Sequence, residues 1–274
     1  MAGQSMEHAP SEALTFERGA TVAVGEVTLF VAQAGRPDGQ PLVLLHGGLG
    51  SRNDFLPLAR HLAADYRLVA IDSRGHGRSA LGTMPLTYAQ LERDVGMVLS
   101  ALELTAATII GHSDGAIVAL RLASSGRFPL GGIIAVGAHG ELPSDDPTRE
   151  IYEGVTEEEW RGMFAEQVAR YEGENPAPDF GRLFEATQAM WLGSGENAYP
   201  GAAVGRIRCP LLVVHGDDDF LVSRRHAFQL VEQVEGARLL NLPFASHTVL
   251  EDDPEAVLPA IRSFLAGADR AERS

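Results

Sequence analysis

Thr108-Ile109-Ile110-Gly111-His112-Ser113-Asp114-Gly115-Ala116-Ile117-Val118-Ala119-Leu120 runs from a short apolar stretch through Gly-x-Ser-x-Gly into a helical pattern. That order places Ser113 on a sharp strand-to-helix elbow with its hydroxyl exposed. Gly111 and Gly115 let neighbouring backbones pass where a side chain would collide. In a chain with 30 glycines the five-residue string alone has little weight. The strand before it and the helix after it make it specific. The plain alternative is a serine that only caps the helix. The elbow points instead to covalent acyl chemistry, on an open α/β sheet that presents Ser113 at its strand ends.

Working outward, Leu42-Val43-Leu44-Leu45, Leu68-Val69-Ala70-Ile71, Gly132-Ile133-Ile134-Ala135-Val136 and Leu211-Leu212-Val213-Val214 are further apolar runs without alternation. Such runs fit strands covered by helices on both faces of a parallel sheet. Residues 21 to 24 and 27 to 34 read as two short strands joined at Gly25-Glu26, and Leu239-Leu240-Asn241-Leu242 as a late one. Helical patterns cover 54 to 64, 87 to 103, 114 to 125, 224 to 235 and 254 to 266, with Thr87 as an N-cap and Pro254 in an opening turn. Strands followed by helices of this length make right-handed βαβ units. Between 140 and 205 that rhythm stops, and two helices are expected at 156 to 172 and 180 to 192. The division expected is a core of 14–139 and 206–268, a helical cap at 140–205 and flexible termini at 1–13 and 269–274.

The 274 residues carry 37 acids against 22 bases, a net charge of -15, and every base is an arginine. A surface so acidic disfavours nucleic acid and membrane partners. Cys209 is the single cysteine, so no internal disulfide forms and the thiol reads as a buried spectator. Met1 to Met6 lacks a basic start and an apolar run, no segment is apolar enough to span a bilayer, and the cytoplasm is the expected compartment. A small-molecule substrate and a monomer or homodimer are expected.

A serine hydroxyl needs a base, and the base needs a third group to fix its tautomer. Among nine histidines, His247 follows the last strand on the loop Pro243-Phe244-Ala245-Ser246 and precedes the final helix, where it can swing toward the elbow. Asp217, Asp218 and Asp219 end a strand after His215-Gly216. Asp219 has the reach to meet His247, and Asp217 is the reserve. Negative charge on the substrate oxygen needs preoriented N–H groups. Asp114 supplies one, and the glycine-rich loop Leu45-His46-Gly47-Gly48-Leu49-Gly50-Ser51 supplies another, Gly48 first and Leu49 next. With no lysine, that loop is no phosphate cradle. Asp72 and Arg74 read as braces for the loops near it. His46 and His112 read as packing and hydrogen-bonding groups around the elbow, while His46, His139, Trp160 and Trp191 are candidates for the pocket. No metal-ligand spacing or dinucleotide fingerprint is present, so neither a metal nor another cofactor is expected.

These residues together resemble the alpha/beta-hydrolase superfamily, from about 22 to 267. The positions are the His46-Gly47-Gly48 loop, Asp72-Ser73-Arg74-Gly75-His76-Gly77-Arg78-Ser79, the elbow, the Gly216-to-Asp219 turn and the late His247. The resemblance implies an alpha/beta-hydrolase fold with an eight-stranded, mostly parallel sheet and a cap between the sixth and seventh strands. By it Ser113 is the nucleophile, Asp219 the acid and His247 the base. Serine at 113 argues against the dehalogenase and epoxide hydrolase members, which form their intermediate on a carboxylate. Asp114 resembles a subset that includes amino-acid ester hydrolases. The expected activity is cleavage of a small or medium ester, thioester, lactone or amide. The alternatives are C-C bond hydrolysis, cofactor-free perhydrolysis and a non-catalytic binding module. Twelve acids and three arginines between 141 and 179 form a solvated acidic face, or select cationic substrates if some turn inward.

Overall fold

The apolar runs become the middle of one sheet because alternate residues of each strand are claimed by opposite faces. Val43 and Leu45, Val69 and Ile71, Ile109, Ile133 and Val213 face one apolar cluster. Leu42 and Leu44, Leu68 and Ala70, Ile110, Ile134 and Leu212 face the other. Burial on both sides removes the period-two pattern of a half-exposed strand.

The computed structural model describes residues 14–271; the expected flexible lead at 1–13 and the tail at 272–274 lie outside the described residues. The strands are β1 (Gly19–Val24), β2 (Val27–Gly35), β3 (Pro41–Leu45), β4 (Arg67–Ile71), β5 (Thr108–His112), β6 (Gly132–Val136), β7 (Leu211–Gly216) and β8 (Arg238–Leu242). They form one eight-stranded sheet in the order β1-β2-β4-β3-β5-β6-β7-β8. β2 runs antiparallel to both β1 and β4, and every other pair is parallel. The order reverses at β3, which has β4 on one side and β5 on the other. That reversal opens a crevice at the carboxyl ends of β3 and β5, where ligands of open α/β sheets bind.

The helices are α1 (Leu56–Leu62), α2 (Tyr88–Ala101), α3 (Asp114–Ser125), α4 (Pro147–Gly154), α5 (Glu157–Met163), α6 (Ala165–Glu174), α7 (Phe180–Trp191), α8 (Arg224–Gln233), α9 (Val249–Asp252) and α10 (Pro254–Ala271). α2, α3 and α8 cover the face of Val43 and Val69, and α1, α9 and α10 cover the face of Leu42 and Leu68. Thr87 caps α2 by accepting the Gln90 N–H, as its type predicts.

The segment between β6 and β7 departs from expectation. The helix expected at 156 to 172 breaks at Phe164 (φ −125°, ψ 42°), which ends α5 and opens α6. α4 was not anticipated; it starts because Asp146 accepts the Thr148 N–H and Pro147 takes a first-turn position. α10 continues to Ala271, into the stretch expected to be a flexible tail. Among the described residues no helix is long and apolar enough to cross a membrane.

Candidate active site

Ser113 sits between β5 and α3 with φ 50° and ψ −117°, a conformation that only tight surroundings hold in a non-glycine residue. Its N–H donates to the Val136 carbonyl at 2.8 Å, and its carbonyl accepts from Ala116 and Ile117, so the helix starts at once. A Cβ at Gly115 would run into the Leu45 carbonyl, and one at Gly111 would lie 2.6 Å from Ala116 Cα. Gly115→Ala should therefore cost the fold rather than the chemistry, read as loss of soluble protein with a cooperative thermal transition.

β7 and β8 deliver the acid and the base. The Asp217 N–H donates to the Leu242 carbonyl and the Asp218 N–H to the Ala245 carbonyl, each at 2.9 Å, which binds the acid turn to the loop after β8. Asp219 Oδ2 then lies 2.8 Å from His247 Nδ1, while its Oδ1 accepts from the N–H groups of Leu221 and Val222. Burial would raise the Asp219 carboxyl, but the bond and charge of His247 and the two backbone donors outweigh it and hold it below the usual carboxylate range. His247 Nε2 has no hydrogen-bond partner among the described residues, and the imidazole lines the same cavity as Ser113. Asp217, the reserve acid, lies elsewhere: it accepts from Asn241 Nδ2 and pairs with Arg224, so it is not free to meet the imidazole.

Among the described residues no bond claims the N–H of Gly48 or Asp114. Leu49 is a correction, because its N–H donates to His76 Nε2 at 3.0 Å and is unavailable to a substrate oxygen. His76 in turn donates from Nδ1 to the Arg74 carbonyl. His46 is a second correction. It stands behind the loop, accepting the Ser73 N–H at Nε2 and donating from Nδ1 to the Gly47 carbonyl, and it does not line the cavity.

The cavity that joins Ser113 and His247 has a volume of about 320 Å³ and a predominantly apolar wall, including Ile151, Tyr152, Trp160, Phe164, Trp191 and Phe220. Trp160 and Trp191 are thus where the sequence expects pocket residues. His139 is not: the chain turns at Gly137 (φ 58°) and packs His139 against Tyr199 and His226 instead. The Asp114 carboxylate is held by Tyr88 Oη at 2.7 Å and by Trp191 Nε1, a clamp no local pattern announces. None of the acids between 141 and 179 lines this cavity. Asp146 and Asp179 cap helices, Glu157 and Glu172 pair with Arg161, and Glu174 reaches Arg52. The carboxyls that do reach it, Asp54 and Glu251, come from the core, and burial pushes them up to about 6 and about 7. Cys209, half-buried, has its thiol pushed up to about 11 by burial and stands apart.

Four histidines are kept neutral by burial, His46 at about 4 and His76, His112 and His139 at about 3. Unfolded, each titrates near 6.5. The stability tied to neutral burial is complete above that pH and drains away as pH falls toward 4 and 3, because only the unfolded chain takes up protons in that window. Asp54, Asp114 and Glu251, all raised by burial, pull the other way, but three carboxyls stand against four imidazoles. Thermal melts from pH 8 to 4 should show the midpoint falling below about pH 6.5; a flat profile would contradict this.

Residues 42–260 match the model of the alpha/beta hydrolase family. The chain belongs to that family. It is 30% identical over 244 residues to the serine hydrolase BPHL of Homo sapiens, covering 84% of this chain and 80% of the relative. It is 28% identical over 247 residues to the esterase YbfF of Escherichia coli K12, covering 82% and 92%. The solved meta-cleavage product hydrolase of Pseudomonas fluorescens IP01 shares the fold with TM-score 0.77 at 19% identity, covering 91% of this chain and 98% of that one. This alpha/beta hydrolase is accordingly an enzyme with a hydrolytic activity. Among its described residues no group of three or more His, Cys, Asp or Glu side chains could hold a metal ion.

Proposed function

We propose that this hydrolase cleaves small or medium carboxylic esters and their thioester, lactone or amide relatives through an acyl-Ser113 intermediate. The observation that carries the reading is the 2.8 Å bond from His247 Nδ1 to Asp219, which leaves Nε2 for the hydroxyl that lines the same cavity. His247 Nε2 takes the Ser113 proton as Oγ bonds to the substrate carbonyl carbon. The oxygen of that carbonyl becomes an anion facing the N–H groups of Gly48 and Asp114. The anion collapses, the C–O, C–S or C–N bond breaks, and His247 returns the proton to the leaving group. Water then repeats the steps and frees the acid and Ser113. Asp219 stays ionised throughout, held low as it is, and steadies the imidazolium. The inserted helices act as a lid whose apolar wall selects apolar acyl or alcohol portions.

C-C bond hydrolysis of a carboxylate-bearing ring-cleavage product is the weaker reading, because among the described residues no arginine lines the cavity to receive that carboxylate. The test is a fluorophosphonate probe, expected to add one label at Ser113 by peptide mass spectrometry, together with hydrolysis of p-nitrophenyl butyrate. An unlabelled, folded protein, or turnover confined to β-diketones, would overturn the reading.

A further inference from the structure

The position before the serine in Gly-x-Ser-x-Gly is occupied by His112, the last residue of β5, whose side chain is buried at the edge of the cavity that holds Ser113. His112 Nε2 lies 2.8 Å from the main-chain carbonyl oxygen of His247, a residue 135 positions away. A carbonyl can only accept, so this nitrogen carries the hydrogen and the tautomer is fixed. The two imidazoles lie 4.9 Å apart between centroids. On its other side, His112 Nδ1 would be 3.1 Å from a Cβ at Gly47, so the oxyanion loop rests directly on the ring. One side chain thus touches the strand of the nucleophile, the loop beside Gly48 and the loop of the base.

The base loop needs such a tie. Its other bonds are local, Ser246 and Thr248 to Asp252, or lead to the acid turn through Ala245 and Asp219. Among the described residues only the His112 bond joins that loop to the nucleophile strand.

We infer that His112 is a positioning residue, whose Nε2–H holds the main chain of His247 so that the imidazole stands in register with Ser113. The inference rests on the reading of His247 as the base. Proton transfer demands reacting atoms near 3 Å, and a misplacement of about 1 Å costs on the order of 100-fold. A tie to the backbone fixes the pivot of the base, while Asp219 fixes only the rotation of its ring. Burial keeps His112 neutral at about 3, so the tie persists at any pH at which the enzyme works.

The test separates reach from bulk. Glutamine carries an amide N–H about where His112 Nε2 lies, and asparagine stops short of it. His112→Gln is expected to keep kcat within about 3-fold, whereas His112→Asn and His112→Leu lose about 10- to 100-fold in kcat with KM nearly unchanged. Fluorophosphonate labelling should slow in parallel. In a His247→Ala background His112→Asn should add no further loss, because nothing is left to position. Equal activity of the folded Gln and Asn variants, a loss confined to KM, or an undiminished additional loss without His247 would overturn the proposal. If His112→Leu yields no folded protein, the Gln and Asn pair still decides. Should His247→Ala itself keep full turnover, the reading of the base fails and this inference with it. Should His247→Ala lose turnover while His112→Asn does not, only the inference falls.

Discussion

Ser113→Ala should lose on the order of 10⁴- to 10⁶-fold in kcat and all fluorophosphonate labelling, while the protein stays folded. The loss follows from the chemistry proposed for the elbow. Alanine leaves the N–H groups of Gly48 and Asp114 and the imidazole of His247 in place but removes the atom that forms the acyl bond. The fold should persist because every bond holding the elbow comes from the Ser113 backbone: its N–H to Val136 and its carbonyl from Ala116 and Ile117. The strain at φ 50° is carried equally by alanine, which has the same Cβ. Far-ultraviolet circular dichroism and the melting midpoint should match the parent within about 2 °C. Full activity of Ser113→Ala on an established substrate would remove Ser113 from the chemistry and return it to the role of a helix terminus.

Whether a feature of this candidate site is legible in the sequence depends on whether the contact that decides it is local. Ser113 was legible because strand, glycines and turn lie within a few residues. His247 and Asp219 were legible as residues placed after the last two strands, where the sheet must present them. Leu49 was misread because the fate of its N–H is decided by His76, 27 residues away, whose tautomer is fixed in turn by the Arg74 carbonyl. The same holds for the Tyr88–Asp114–Trp191 clamp, which joins the second helix, the elbow and the inserted helices. The core strands were read correctly because their burial on both faces leaves a mark in composition. In the inserted segment the helix expected at 180 to 192 is present as α7, but α4 depends on a cap and on packing of Tyr152 against Trp191 (4.9 Å), and the 156 to 172 pattern breaks at Phe164 with only Gly162 before it as a local signal. Short helices owe their stability to packing more than to propensity.

The other large effect belongs to the braces beneath the oxyanion loop. Asp72, read in the sequence as such a brace, accepts from the Arg52 N–H, the Arg52 guanidinium and the Arg78 N–H at 2.9, 2.8 and 2.8 Å. Both side chains of the Arg52–Asp72 pair are 0% exposed. The same guanidinium donates to the Phe16 carbonyl and to Glu174 on α6, so one buried fork ties the loop after β3, the segment ahead of β1 and the inserted helices. Arg52→Leu strands the Asp72 carboxylate in a dry site, and breaking a buried pair from one side costs about 3 to 5 kcal/mol. In a chain of this size that lowers the melting midpoint by on the order of 10 °C. Arg52→Lys should recover little, because an ammonium cannot meet three acceptors arranged around a planar fork. Adding Asp72→Asn to Arg52→Leu should recover part of the loss, since the stranded charge, and not the missing attraction, is the larger cost. Thermal and denaturant unfolding of the single and double variants measure both terms. A single-variant loss under about 1 kcal/mol, or a double variant no more stable than Arg52→Leu alone, would mean that water or a shifted side chain already compensates the charge.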